Sequence, residues 1–227
     1  MRAGLRLLKG RAIDGITLVM TEALMFDLDN TLYSESSGME TRVLAAINEF
    51  VGAFLGLSPE AANLVRRQGA RRYGTTLEWL VFEKKFDDPE AYFSYIHPEG
   101  EADQMASDPG LKALLDSLPY RKIILTNSPI EHARRVLAAL GIQECFQAVY
   151  DIRFNSLVGK PHPKSFLRAL DASGLKVETT VFVDDLPKYI WGYQALGGRS
   201  ILKDEGRRFM GKGFERIESL MELSGIL

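Results

Sequence analysis

The feature that most constrains the fold is a set of short apolar segments, each of which ends in polar or acidic residues. Such segments, four or five residues long, are typical of buried strands in a parallel sheet. The three clearest are 23–26 followed by Asp27, 121–125 followed by Thr126-Asn127-Ser128, and 179–183 followed by Asp184-Asp185. Residues 148–152 and 200–202 are weaker strand candidates.

Helix signals alternate with these strands. Ser128-Pro129-Ile130-Glu131 reads as a capping box with proline at the first helical position, and Gly141 ends that helix. Residues 163–172 begin with proline in the same way, and a last helix is predicted over about 207–223. The alternation predicts an α/β fold with a doubly wound, mostly parallel sheet.

A long insertion separates the first two strands. Between Thr31 and Thr126 lie 94 residues, far more than a parallel crossover requires. Ser58-Pro59 and Asp88-Pro89 each pair a capping residue with proline, as at the start of a helix. Apolar residues also recur there at helical spacing, at Val43, Ile47, Phe50, Val51 and Phe54. We therefore predict a helical subdomain over 34–107.

Composition bears mainly on partners and location. The net charge of −2 gives no global field that would attract nucleic acid or an anionic membrane. No apolar run reaches the roughly 20 residues of a membrane span, and the single cysteine, Cys145, has no disulfide partner. We expect a cytoplasmic protein with no nucleic-acid or membrane partner, and interpret residues 1–19 as an N-terminal extension. The oligomeric state stays open.

The strand ends suggest a site for a phosphate group and a metal. Asp27 and Asp29 lie on the same side of the first strand end, where their repulsion favours a cation, and oxygen ligands favour Mg²⁺. Capping of the following turn is the alternative for this pair. Thr126-Asn127-Ser128 precedes a helix N-terminus, which is suited to an anion. Lys160 and Asp184-Asp185 add a point charge and further carboxylates.

This ordered set resembles the haloacid-dehalogenase superfamily of aspartate-nucleophile phosphotransferases, from about residue 25 to residue 202. The resemblance implies an α/β core of residues 20–33 and 108–227, with 34–107 as a helical cap. It implies Asp27 as nucleophile and Asp29 as general acid and base, an acid that the dehalogenases of the superfamily lack. The other implied roles are phosphate binding by Thr126, Asn127 and Ser128, charge stabilisation by Lys160, and Mg²⁺ binding by Asp27, Asp185, Asp184 and the carbonyl of Asp29.

A finer resemblance, to pyrimidine 5′-nucleotidases, rests on residues 26–33, 36–38 and 72–77. It implies Mg²⁺-dependent hydrolysis of small phosphorylated substrates such as UMP or CMP through an aspartyl-phosphate. A phosphatase of sugar phosphates or other small phosphomonoesters, and a phosphate-binding protein with weak catalysis, are the alternatives. For Tyr73, Thr75 and Thr76 two interpretations stay open, contact with the substrate or the capping and packing of a helix.

Several residues fit the pattern less well. Four positions after Asp185 the superfamily commonly has an acid or amide, and this chain has Tyr189. The three histidines, His97, His132 and His162, share no ligand spacing and are assigned no chemistry. Trp79 and Phe82 are expected in the core, and Arg66, Arg67, Arg71 and Arg72 on a solvated helix face.

Overall fold

The computed structural model describes residues 20–209 and 213–227, which form a six-stranded parallel sheet. The strand order is β3-β2-β1-β4-β5-β6, so β1 is central and pairs with both β2 and β4. The strands are β1 (Ala23–Phe26), β2 (Arg121–Leu125), β3 (Ala148–Tyr150), β4 (Thr180–Asp184), β5 (Arg199–Lys203) and β6 (Glu215–Ile217). The carboxyl ends of β1, β2 and β4 therefore lie side by side, as the sequence predicted.

Helices cover both faces of the sheet. Leu24 and Phe26 of β1 point into one apolar cluster, while Ala23 and Met25 point into another, because successive strand side chains alternate. Residues of α5 and α6 belong to the first cluster, and residues of α7 and α8 to the second. These helices are α5 (Pro109–Ser117), α6 (Ile130–Leu140), α7 (Pro163–Ala172) and α8 (Pro187–Gln194). The predicted doubly wound α/β fold is confirmed.

Four helices between β1 and α5 form the inserted cap. They are α1 (Met39–Leu55), α2 (Pro59–Tyr73), α3 (Thr76–Phe82) and α4 (Pro89–Ile96). Their buried side chains form a third apolar cluster. A Cβ atom on Gly69 of α2 would lie 2.3 Å from the Trp79 ring, so glycine permits the close approach of α2 to α3. The helical cap is therefore present, while its boundaries at 34 and 107 stay predictions.

Two expectations about apolar residues and the chain end need correction. Trp79 is buried, but Phe82 is 46% exposed and does not belong to the core. The last helix predicted over 207–223 is wrong, because β6 pairs with β5 along part of that stretch and a short 3₁₀ helix, Leu220–Gly225, follows. A capping box between Ser219 and Glu222 starts the 3₁₀ helix and separates it from the strand.

The predicted N-terminal extension, residues 1–19, lies outside the described residues. Within 20–209 and 213–227, no single helix is long and apolar enough to cross a membrane, and only the sharply bent pair of α1 and α2 passes on length and composition.

Candidate active site

Asp27 lies at the centre of the crevice formed by the carboxyl ends of β1, β2 and β4. Phe26 is level with Ile124 of β2 and Val183 of β4, so Asp27 follows at the level of Leu125 and Asp184. Its carboxylate is largely buried and accepts two hydrogen bonds, from Lys160 Nζ at 2.6 Å and from Thr31 Oγ1 at 3.1 Å. The side chain is thus held in one orientation.

Lys160 is fully buried and neutralises part of the acidic site. Its Nζ lies 2.6 Å from Asp27 Oδ1 and 2.7 Å from Asp184 Oδ2. Asn127 fixes the lysine backbone from both sides, since its Nδ2 donates to Lys160 O and its Oδ1 accepts from Lys160 N. A Cβ on Gly159 would lie 2.4 Å from Asn127 Oδ1, so this anchor requires glycine before the lysine.

Asp185 adds a third carboxylate beside the two that contact the Lys160 ammonium group. Oxygen atoms of Asp27, Asp184 and Asp185 lie within 4.8 Å of one another. Burial and the charges of Asp184 and Asp27 raise the pKa of Asp185 to about 9, while burial and the neighbouring acids raise the pKa of Asp27 to about 7 in spite of Lys160. A set of buried, hard oxygen donors with excess negative charge fits a Mg²⁺ ion.

Asp29 has the opposite surroundings, although it is only two residues away. Its Oδ1 accepts from Tyr33 OH and lies 2.7 Å from His132 Nε2, and its Oδ2 accepts from Ser128 Oγ at 2.7 Å. Burial alone would raise the pKa of Asp29, but His132 and the two hydroxyls hold it below its ordinary value. The Asp29 carboxylate is not part of the acid cluster, so only its backbone carbonyl is left for the metal role that the resemblance implies.

His132 was assigned no chemistry from the sequence, and that interpretation missed its position. The side chain is fully buried, with Nε2 beside Asp29 and Nδ1 2.9 Å from Glu101 Oε1. Although burial opposes the charged form, Asp29 and Glu101 raise the pKa of His132 to about 9. Helical spacing does not mark it in the sequence, because Ser128 precedes the N-cap Pro129 and Glu101 comes from another segment of the chain.

The segment between β2 and α6 does not contain the capping box that was predicted at Ser128. Pro129 is the N-cap of α6 and makes no side-chain capping bond. Asp151 Oδ2 accepts from Ile130 N in place of the predicted capping box, which leaves the Ser128 hydroxyl to donate to Asp29. Thr126 is buried beside Ser128 and its Oγ1 accepts from Ser128 N. Ser128 is therefore part of the site and not a helix cap.

Tyr189 lies against Lys160, at the position where an acid or amide was expected. Lys160 Nζ is 4.8 Å from the centroid of its ring, and its hydroxyl accepts from Asn127 Nδ2 at 3.0 Å. Asp184 is the residue that supplies a second carboxylate to the lysine, and its Oδ1 accepts from Leu186 N. This contact is consistent with the hypothesis that Asp184 compensates for the missing acid.

The cap side of the crevice is a cavity of about 250 Å³, lined by Asn127, Ser128 and residues of α1 to α4. Thr75 caps α3, since its Oγ1 accepts from Glu78 N, and the Tyr73 ring packs under Arg72. Arg66 differs from the prediction of a solvated face, because it is half-buried in this cavity and donates to Asn48 and Asn63. Its guanidinium has no carboxylate partner among residues 20–209 and 213–227.

The fold and the site define a class of enzymes with a doubly wound core, an inserted cap and an aspartate at the central strand end. A family model described as haloacid dehalogenase-like hydrolase matches residues 21–197. The chain belongs to this family of hydrolases.

Three individual proteins that resemble the chain are each at most 28% identical to it. The chain is 28% identical to Phosphate metabolism protein 8 of Saccharomyces cerevisiae, over 72% of this chain and 56% of the yeast protein. It therefore spans little more than half of that relative. It is 28% identical to the glyceraldehyde 3-phosphate phosphatase of Methanocaldococcus jannaschii, over 73% of this chain and 77% of that protein. The crystal structure of a HAD phosphatase from Thermococcus onnurineus has a TM-score of 0.63 at 21% identity, covering 91% of this chain and 97% of the other.

Proposed function

We propose that the protein is a Mg²⁺-dependent phosphomonoester hydrolase in which Asp27 is the nucleophile. The observation that carries the proposal is the contrast between Asp27, buried against Lys160 and two further aspartates, and Asp29, held by three hydrogen-bond donors. In this proposal the Asp27 carboxylate attacks beside the positive charge of Lys160, and the Asp29 carboxylate moves protons. The relative of M. jannaschii, by its name, acts on a phosphomonoester, which supports this reaction class.

In the first step, an oxygen of Asp27 attacks phosphorus while the bond from phosphorus to the ester oxygen breaks. The leaving oxygen takes a proton from Asp29, which is ionised in the free site and binds that proton once the anionic substrate lies beside it, and an aspartyl-phosphate remains on Asp27. In the second step, Asp29 removes a proton from water, which attacks phosphorus, so that phosphate leaves and Asp27 is restored. In this proposal Thr126, Asn127 and Ser128 bind the phosphoryl group, and Lys160 offsets the charge of both anions.

Asp27, Asp184 and Asp185 are the side chains that would hold Mg²⁺, with the Asp29 carbonyl as a further ligand. The ion would supply positive charge that lets the phosphate approach a carboxylate. Together the three carboxylates can carry more negative charge than the single Lys160 balances. A divalent cation bound by their oxygens would reduce the repulsion between them.

For the substrate, we propose pyrimidine nucleoside 5′-monophosphates. The cavity of about 250 Å³ beside Asn127 and Ser128 is lined by residues of the cap, and its size suits a small leaving group. Arg66 offers a donor on the cap side, suited to a carbonyl oxygen of a pyrimidine ring. Sugar phosphates and other small phosphomonoesters are the alternative, since a guanidinium also donates hydrogen bonds to hydroxyl or carboxylate oxygens.

A phosphate-release screen ranked by kcat/KM tests both the proposed reaction and the proposed substrate. It would compare UMP and CMP with AMP, GMP, glyceraldehyde 3-phosphate, phosphoglycolate and p-nitrophenyl phosphate, each with Mg²⁺ and with EDTA. We expect UMP or CMP to lead, and Arg66→Met to reduce this preference more than it reduces p-nitrophenyl phosphate turnover. A tenfold lead for a sugar phosphate would transfer the proposal to that class, and no release from any ester would contradict phosphatase activity.

A further inference from the structure

We propose that His132 is a positioning residue that fixes the Asp29 carboxylate for proton transfer, and that Glu101 in turn holds His132. The inference rests on the proposed function, because it concerns the residue that would move the protons. It adds a buried histidine and an acid from the chain returning from the cap, neither of which belongs to the motifs found in the sequence.

The geometry forms a continuous chain from the crevice into the protein. His132 Nε2 lies 2.7 Å from Asp29 Oδ1, its Nδ1 lies 2.9 Å from Glu101 Oε1, and Glu101 Oε2 lies 2.8 Å from His97 Nδ1. Arg135 of α6 donates to Glu101 Oε1 and to His97 O. The side chains of His97, Glu101 and His132 are each at most 5% exposed, so none can turn away without breaking buried contacts.

Each partner limits the freedom of the next one. Glu101 Oε1 lies 2.9 Å from Nδ1 of the His132 ring, without hydrogen-bond geometry, and this charge contact together with the burial of the ring keeps Nε2 beside Asp29. Asp29 also accepts from Ser128 on its other oxygen, which fixes the plane of the carboxylate. A group that transfers protons has to lie within hydrogen-bond reach of the reacting oxygen, so a loss of alignment is expected to slow each step that it serves.

His97, Glu101 and His132 also have the donor set of a transition-metal site. The positions of the neighbouring charges argue against that use. The Arg135 guanidinium lies 2.5 Å from the oxygen of Glu101 that also faces His132, so a metal ion there would meet a fixed positive charge. His132 would also have to give up one of its two carboxylate contacts. A positioning role keeps every contact that the structure shows.

The test uses two substitutions that each keep one of the two imidazole contacts. The amide nitrogen of His132→Gln reaches the place of Nε2 and can still donate to Asp29, while that of His132→Asn reaches the place of Nδ1 and cannot. We expect kcat for p-nitrophenyl phosphate to fall about 10- to 100-fold in His132→Asn and clearly less in His132→Gln. Asp29→Asn serves as the reference for complete loss of proton transfer.

Comparing the change in kcat with the change in kcat/KM distinguishes a positioning role of His132 from a general loss of structure in the active site. Nitrophenolate leaves without a proton, so the first step with this substrate does not need Asp29, whereas water attack on the aspartyl-phosphate does. In His132→Asn we therefore expect kcat/KM within about threefold of wild type, a lower kcat, a burst of nitrophenolate and an accumulated acid-labile phosphate on Asp27. With UMP, whose leaving oxygen needs a proton, kcat/KM should fall as well.

Glu101→Gln is the second variant, because it keeps the size of the side chain and acts on Asp29 only through His132. It should shift kcat in the same direction by about three- to tenfold, and it carries the test if the His132 variants do not fold. The inference fails if wild type hydrolyses p-nitrophenyl phosphate and these variants keep its kcat, or if kcat and kcat/KM fall together without phosphoenzyme. An inactive wild type would instead contradict the proposed function.

Discussion

Asp27 and Asp29 are two residues apart on the same strand end, yet the protein gives them opposite environments. Asp27 faces Asp184 and Asp185, and burial with these charges raises its pKa to about 7. Asp29 faces Tyr33, Ser128 and His132, and these donors hold its pKa below the ordinary value. The comparison teaches that the pKa values of two chemically identical groups are set apart by their neighbours on other elements.

The largest expected effect comes from the Asp27 side. Asp27→Asn should lower kcat by at least about 10³-fold, because an amide cannot form the aspartyl-phosphate. The fold should persist, since asparagine keeps the shape and can still accept from Lys160. Phosphate release and circular dichroism on the same preparation check both expectations. Measurable turnover at wild-type KM would show that the nucleophile lies elsewhere.

Lys160→Met should damage both stability and activity. It leaves three buried carboxylates without their cation, and loss of one partner of a buried ion pair typically costs about 3–5 kcal/mol. Because protonation relieves this repulsion, the loss in the free energy of unfolding should be larger at pH 8 than at pH 5 when EDTA is present. Urea unfolding at the two pH values measures the difference. An equal loss at both would mean that the lysine acts through packing alone.

Mg²⁺ should stabilise the protein more at high pH than at low pH. Without metal, the folded pKa of Asp185 is about 9, above its ordinary value of about 3.9, so the folded state keeps a proton that the unfolded chain has lost. Stability then falls as pH rises toward 9, and the raised pKa of His132 acts in the same direction above about pH 6.5. Thermal unfolding with Mg²⁺ and with EDTA at pH 5.5 and 8.5 should show the larger gain in Tm at pH 8.5. Equal gains would contradict metal binding at this cluster.

The smallest effect is expected at Tyr189. Tyr189→Phe removes only the acceptor of Asn127 Nδ2, a change worth about 1 kcal/mol. It should leave the half-saturating Mg²⁺ concentration within about threefold of wild type. Asp184→Asn, which removes a carboxylate from the cluster itself, should raise that concentration at least tenfold. If the two variants shift the Mg²⁺ activation curve equally, Asp184 does not compensate for the tyrosine.

The strand ends show why sequence patterns predict the Asp27 side of the site well. Apolar runs that end in polar residues identify β1, β2 and β4, and parallel strands in one sheet bring their carboxyl ends together. The residues at those ends, Asp27, Thr126 and Asp184, can therefore be assigned to one crevice from the amino-acid sequence alone. Lys160 lies outside the strands, and the motif order of the family resemblance located it.

The other side of the site depends on contacts between segments far apart in the chain. His132 reads as one more buried residue of α6, and Glu101 as a residue of an irregular connection after α4. The predicted capping box at Ser128 failed for the same reason, because Asp151, from the segment after β3, supplies the cap and frees the hydroxyl. Local propensity cannot register a competing partner that comes from another element.

By itself, the sequence determined the α/β class, the inserted helical cap and the acids at the central strand ends, because apolar periodicity and strand polarity are local properties of the chain. Only the tertiary structure decided which of two neighbouring aspartates has acids around it and which has donors. It also decided that β6 replaces the predicted last helix, since an edge strand depends on pairing with β5. These outcomes depend on long-range packing and on the electrostatics of burial, which exist only once the elements have come together.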